Sequence, residues 1–207
     1  TDSWLLPRGI EVDSFQIASG QRHDVIIDFR DAPDEVYIEN LMFHADGRGG
    51  NAIREDKRTQ LLKFEVSGSN FSEPRCEEGT VIRGFAGIDP GGQFSFHDEA
   101  EVLETRSFVF KRNNGAFTVN GRLFNPRRAD AVPPLGVGAE RWIFENQSGG
   151  WWHPIHTHLE GFQIKKLNGK PPRRERQFNS DTVEIESHLT VEMFMKFRTF
   201  TGPFVFH

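Results

Sequence analysis

One cysteine, Cys76, is all that a chain of 207 residues carries. An internal disulfide is therefore excluded, and cysteine usage places the protein in no particular redox compartment. The acidic neighbours Glu77 and Glu78 oppose a thiolate, so Cys76 reads as incidental rather than as a nucleophile. Excess positive charge is lacking too. The net charge is −5, which gives no electrostatic support to a nucleic-acid partner. One basic stretch, from Lys165 to Arg176, reads as a solvated hairpin loop. No run reaches the roughly 20 apolar residues that a membrane-spanning helix needs, and no membrane segment is expected. Residues 1–7 have neither the basic start nor the apolar core of an export signal. Position 1 is Thr rather than Met, so the sequence is expected to be a piece of a longer chain. Tyrosine occurs once against twenty phenylalanines, and no amphipathic helix stands out.

What is present is strand and turn chemistry. Short runs of Phe, Val and Ile favour pleated structure, and twenty glycines with eleven prolines favour turns. Three regions are expected. In residues 1–67, strands are predicted at Val12–Ile17, at Asp24–Phe29 as a buried strand, at Val36–Ile38 and at Leu61–Val66. A polar loop, Asp46–Asn51, separates the last two. Residues 68–100 read as an irregular connector. Residues 101–207 read as a second β unit. Ser107–Phe110 and Ala116–Asn120 flank Asn113-Asn114-Gly115, a hairpin signal. Further strands are predicted at Arg141–Asn146, Gly161–Leu167, Thr182–Ile185, Val191–Phe197 and Phe204–His207. This spacing points to a sandwich or barrel.

The informative stretch is Trp151-Trp152-His153-Pro154-Ile155-His156-Thr157-His158. Three of the eight histidines fall within six residues. Imidazole is a preferred ligand of copper, zinc and non-haem iron. His156 and His158 stand at strand spacing and share a face. Pro154 is expected to break the strand, freeing His153 to point toward a different metal. Trp151 and Trp152 are expected to pack the sandwich core, with lining of a substrate approach as the alternative. His23, His44, His97 and His188 have no histidine neighbour at metal spacing and read as ordinary surface or packed histidines. Asp181 is a candidate to orient a ligand, or to serve a turn.

The run His153-Pro154-Ile155-His156-Thr157-His158 resembles the HPxHxH signature of multicopper oxidases, in the group of bilirubin oxidases and spore-coat laccases. Gly20–Phe29, Phe117–Arg122, Ser180–Val183 and Gly202–His207 resemble further stretches of that family. The resemblance implies cupredoxin-like Greek-key β-sandwich or barrel domains. Residues 1–67 would be the end of a middle domain, and 101–207 a last domain truncated within its HCH motif. It implies copper as cofactor, with His153 on the type 1 copper, His156 on the type 2 copper, and His158 and His207 on type 3 coppers. It further implies dioxygen and a small reducing substrate (a phenol, a pigment or a metal ion) as partners, and an exported location.

The pattern is incomplete here. The cysteine and second histidine of HCH are missing after His207, and so are the histidines of a first cupredoxin domain. The blue site keeps one of three strong ligands, and the cluster three of eight histidines. The segment alone is therefore expected to lack oxidase activity. Three other readings compete: a non-enzymatic copper-binding cupredoxin, a copper nitrite reductase-like protein, and a cupin-type enzyme drawing on Glu160.

Overall fold

Alternating burial along one strand shows how the fold is built. In Ala139–Asn146, Trp142, Phe144 and Asn146 are buried while Arg141, Ile143 and Glu145 are half-exposed, the period-2 pattern of a strand with one covered face. A computed structural model describes residues 2, 4–6, 8–44, 46, 48–68, 74–82 and 99–207. Twelve strands are seen among these residues. They are β1 (Glu35–Asn40), β2 (Met42–Phe43), β3 (Asn51–Ala52), β4 (Thr59–Glu65), β5 (Val102–Asn113) and β6 (Ala116–Val119), followed by β7 (Ala139–Asn146), β8 (His153–His156), β9 (Phe162–Leu167), β10 (Asn179–Ser180), β11 (Thr182–Ile185) and β12 (Thr190–Met195). Helical structure among the described residues is limited to three short 3-10 turns.

The main sheet has six strands in the order β10-β9-β12-β7-β5-β6. Only β5 and β7 run parallel within it. Strands β8 and β11 form a separate antiparallel pair. Ile155, Val183 and Ile185 of that pair join Phe108, Phe144 and Met193 of the main sheet in one buried cluster, so the two layers share a core. The buried charge of Glu140 is paired: it accepts from Arg106 Nε and Trp142 Nε1 at 2.7 and 2.8 Å. The β5–β6 turn is the expected hairpin. Asn114 and Gly115 both have positive φ, 48° and 83°, as a twist-matched two-residue turn requires.

Two expectations for the first region fail. Asp24–Phe29 and Val12–Ile17 belong to no strand. Strand pairing requires a neighbouring ladder, and the described strands of this region, β1 with β4 and β2 with β3, pair only with each other. Ile26 is 74% exposed rather than buried. Part of the 68–100 connector, including His97, lies outside the described residues.

Candidate metal centre

Strand β8 distributes its histidines by pleat alone. His153 and His156 are an odd number of positions apart, so they face opposite sides. Pro154 does not break the strand as expected. It sits within β8, paired with Glu184 of β11. Alternation, not a proline break, sends His153 elsewhere.

On one side, His153 meets the aromatic core. Its ring lies 5.4 Å from Phe117 and 6.3 Å from Phe110. Its Nε2 is 2.7 Å from Ser148 Oγ. The Ser148 hydroxyl donates to the Phe110 carbonyl at 3.3 Å, so it accepts from His153 Nε2–H. Nδ1 is then the nitrogen left with a lone pair. Burial holds the His153 imidazolium pKa below its usual value, which keeps that lone pair available near neutral pH. Asn146, fully buried, pins the turn that carries Ser148: its Oδ1 accepts from Ser148 N at 2.9 Å and its Nδ2 reaches the Trp151 carbonyl at 2.6 Å.

On the other side, three imidazoles gather. The ring centroids of His156 and His158 are 4.9 Å apart, those of His156 and His207 5.6 Å, and those of His158 and His207 5.4 Å. His158 Nε2 and His207 Nε2 face one another at 3.3 Å. His207 arrives there through backbone bonds to both sides of His156, 2.7 and 2.9 Å. Its neighbour Phe206 points inward, stacked on Phe144 at 5.9 Å and 5.0 Å from Phe108. The expected strand over 204–207 is thus reduced to a bridge, Thr157 with Phe206, but the in–out alternation it required is there. Burial, with the facing His156 and His158, lowers the His207 imidazolium pKa.

His156 Nδ1 lies 3.0 Å from the Asp181 carbonyl and 3.1 Å from Thr182 Oγ1. Asp181 Oδ1 is 3.4 Å away. Asp181 therefore stands beside the cluster. Burial pushes its carboxyl pKa up, but the Arg22 and Thr182 hydrogen bonds outweigh it and hold the group below the ordinary carboxylate value.

Neutral imidazole nitrogens suit copper, and the donor chemistry of the four histidines fits that metal. Among the described residues, however, no group of three or more His, Cys, Asp or Glu is arranged to hold a metal ion unaided. The three rings are mutually tilted by 51–71°, one wall of a site rather than a closed cage. Cys76 is exposed, beside Gly9, and joins neither side.

Neither Trp151 nor Trp152 is part of the core cluster. Trp151 lies at the rim beyond His153, with the guanidinium of Arg112 4.4 Å and that of Arg48 5.4 Å from its ring. Trp152 is edge-on to His44 at 5.0 Å. Glu160 is buried and ion-paired with Arg198, and Leu159, at φ 76°, turns the chain before it. It is thus committed away from the histidines, against the cupin arrangement. His23 packs on Phe15 at 5.0 Å. Sequence reasoning missed Ser148, Asn146, Thr182 and Arg22. No local pattern marks them, because each acts on a partner chosen by the fold.

A sequence model of the multicopper oxidase family matches residues 96–207. The bilirubin oxidase of Albifimbria verrucaria is 26% identical over 213 residues, covering 100% of this chain and 35% of that protein. A laccase of Bacillus subtilis (strain 168) is 23% identical over 233 residues, covering 100% of this chain and 42% of that protein. The chain thus spans well under half the length of these curated relatives. Among solved structures, the McoA multicopper oxidase from Aquifex aeolicus superposes with a TM-score of 0.64 at 16% identity, over 87% of this chain and 39% of that one. A multicopper oxidase from Campylobacter jejuni, a metallo-oxidase, gives 0.59 at 19% identity, over 86% and 38%. At such identities the structural likeness is one of fold, the cupredoxin-like all-β sandwich expected from the sequence.

Proposed function

The chain belongs to the multicopper oxidase family, and from that premise we propose that it carries part of the copper apparatus of an oxidase coupling a small reductant to dioxygen. In this reading His153 ligates the type 1 copper through Nδ1. His156 ligates the type 2 copper through Nε2, and His158 and His207 ligate type 3 coppers. Copper bound there supplies one-electron acceptance from the reductant and delivery of four electrons to dioxygen, which takes up four protons and leaves as two waters.

The observation that carries this reading is the division of β8 between two environments. His153 faces an aromatic pocket, and His156 faces the gathering with His158 and His207. One short strand thus presents donors to two separate places, the arrangement that two neighbouring copper sites need. The chain's own residues do the positioning. Ser148 holds the His153 ring, Asp181 and Thr182 hold that of His156, and Phe206 seats His207 in register. The aromatic rim of Phe117 and Trp151 beside His153 is where a phenol, a pigment or a metal ion would give up its electron. The remaining ligands would come from a first cupredoxin domain and from the rest of an HCH motif.

The test is copper loading of a longer protein that includes the residues following His207 and an upstream cupredoxin domain. An intense thiolate-to-copper visible band and oxygen uptake with a phenolic reductant are expected. A reading frame without a Cys and two His just past His207 would overturn the proposal.

A further inference from the structure

We infer that Arg22 is a positioning residue for the copper ligand His156, reinforcing the orientation and tautomer of its ring from 134 residues away in sequence through Asp181 and Thr182. The inference rests on the reading of His156 as a type 2 copper ligand.

The argument follows the protons. Two groups lie within hydrogen-bond distance of His156 Nδ1, the Asp181 carbonyl and the Thr182 hydroxyl oxygen. The carbonyl can only accept. The hydroxyl could do either, but its proton is already given to Asp181 Oδ1 at 2.8 Å, so toward His156 it accepts. Nδ1 must therefore carry the hydrogen, and Nε2 keeps the lone pair. The carbonyl favours this choice by itself; the hydroxyl adds to it only while the Asp181 carboxylate is rotated to take the Thr182 proton. Arg22 secures that rotation. Its NH1 donates to Oδ1 at 2.8 Å and its NH2 to Oδ2 at 2.7 Å, the planar fork that fixes a carboxylate in one rotation. So held, the carboxylate turns Oδ1 toward Thr182, whose hydroxyl donates to it beside Arg22 NH1.

Arg22 is itself held in place. Its NH1 also donates to the Gly20 carbonyl at 2.8 Å, and Asp2 bonds its backbone on both sides. Next to it, Gln21 Nε2 donates to the Thr182 carbonyl at 2.9 Å. The segment around residue 22 is thus clipped to the strand that faces His156. A plain clamp would need only an ion pair. The forked geometry continued through a hydroxyl to one imidazole nitrogen is what orienting a ligand needs.

The test uses the copper-loaded full-length protein, with Arg22→Gln, Arg22→Lys and Thr182→Val beside wild type and His156→Gln. The readouts are copper content per chain, the type 2 electron paramagnetic resonance signal, and the blue visible band as an internal check on the same fold. For Arg22→Gln, about a ten- to hundred-fold weaker retention of the type 2 copper is expected, with an altered hyperfine splitting and an unchanged blue band. Arg22→Lys restores the charge but not the fork, so its splitting stays altered. Thr182→Val reproduces the altered splitting with the Arg22–Asp181 pair intact. Wild-type splitting in both Arg22→Gln and Thr182→Val would overturn the inference and leave Arg22 a clamp. Loss of the blue band in step with the type 2 signal would overturn it as well. A type 2 signal that survives unchanged in His156→Gln would overturn instead the ligand assignment on which the inference rests.

Discussion

A buried carboxylate on β11 shows how much a single residue's surroundings decide. Glu184 is 9% exposed and accepts from Gln16 Nε2 at 2.5 Å. Burial raises its pKa, more than the Gln16 bond and the nearby His44 and Arg176 lower it. A carboxyl raised in the folded state binds its proton more tightly folded than unfolded. Its contribution to stability is complete below the unfolded value of about 4.3 and is lost as pH rises through the folded value. Glu184→Gln keeps an acceptor for Gln16 and removes the charge. Thermal unfolding should place this variant above the parent at pH 7, with the gap closing as pH falls toward 4; a gap independent of pH would refute the argument. Ser148→Ala should act the other way. It strands His153 Nε2–H in a part-buried site, at a cost of about 1–3 kcal/mol, readable in urea denaturation. The histidines were legible in the sequence because their spacing is local. Arg22 was not, because a hydrogen-bond partner 159 residues away, as Asp181 is from it, leaves no local trace; Ser148 and Thr182 have near partners, but no spacing rule marks a hydroxyl as the support of an imidazole.

At the scale of elements, periodicity was a sound guide wherever a strand had a partner to lie against. β5 with β6, β7, β9, β11 and β12 fall close to where alternation and turn residues put them. Asp24–Phe29 is as apolar as any of them, yet it forms no ladder. Apolar content states that a segment seeks cover; it does not name what covers it. Pro154 misled for a related reason. Proline removes one donor, which matters only where the ladder needs that N–H, and β8 carries it while pairing with β11. The C-terminal segment gives the sharpest case. Phe206 lies within 6.5 Å of four core rings, those of Phe108, Phe110, Trp142 and Phe144, and that packing seats His207 against His156. Phe206→Ala should cost about 3 kcal/mol, the low end for a phenylalanine because the ring is only partly buried. It should also weaken copper binding by the histidine cluster. Isothermal titration with Cu(II) checks the second effect, and unchanged affinity in a destabilised variant would separate the core role of Phe206 from any role in presenting His207.

For the molecule as a whole, the donors present set what it can do alone. Four histidines are positioned, yet no three-donor group among the described residues holds a metal unaided. The sole thiol, on Cys76, is exposed beside Gly9 rather than near His153. Blue absorption requires a thiolate on the copper, and four-electron chemistry requires several coppers held together. The 207-residue chain titrated with Cu(II) should therefore bind it weakly, through imidazoles, with only faint visible absorption. In an oxygen electrode with a phenolic reductant it should show no uptake beyond that of free copper. Removing the histidine cluster by His156→Gln with His158→Gln should lower the copper bound without changing that null rate, because binding and turnover depend on different numbers of ligands. An intense blue band or sustained oxygen consumption from this chain would mean that the donors it carries suffice, and that the count of ligands is the wrong basis for judging its activity.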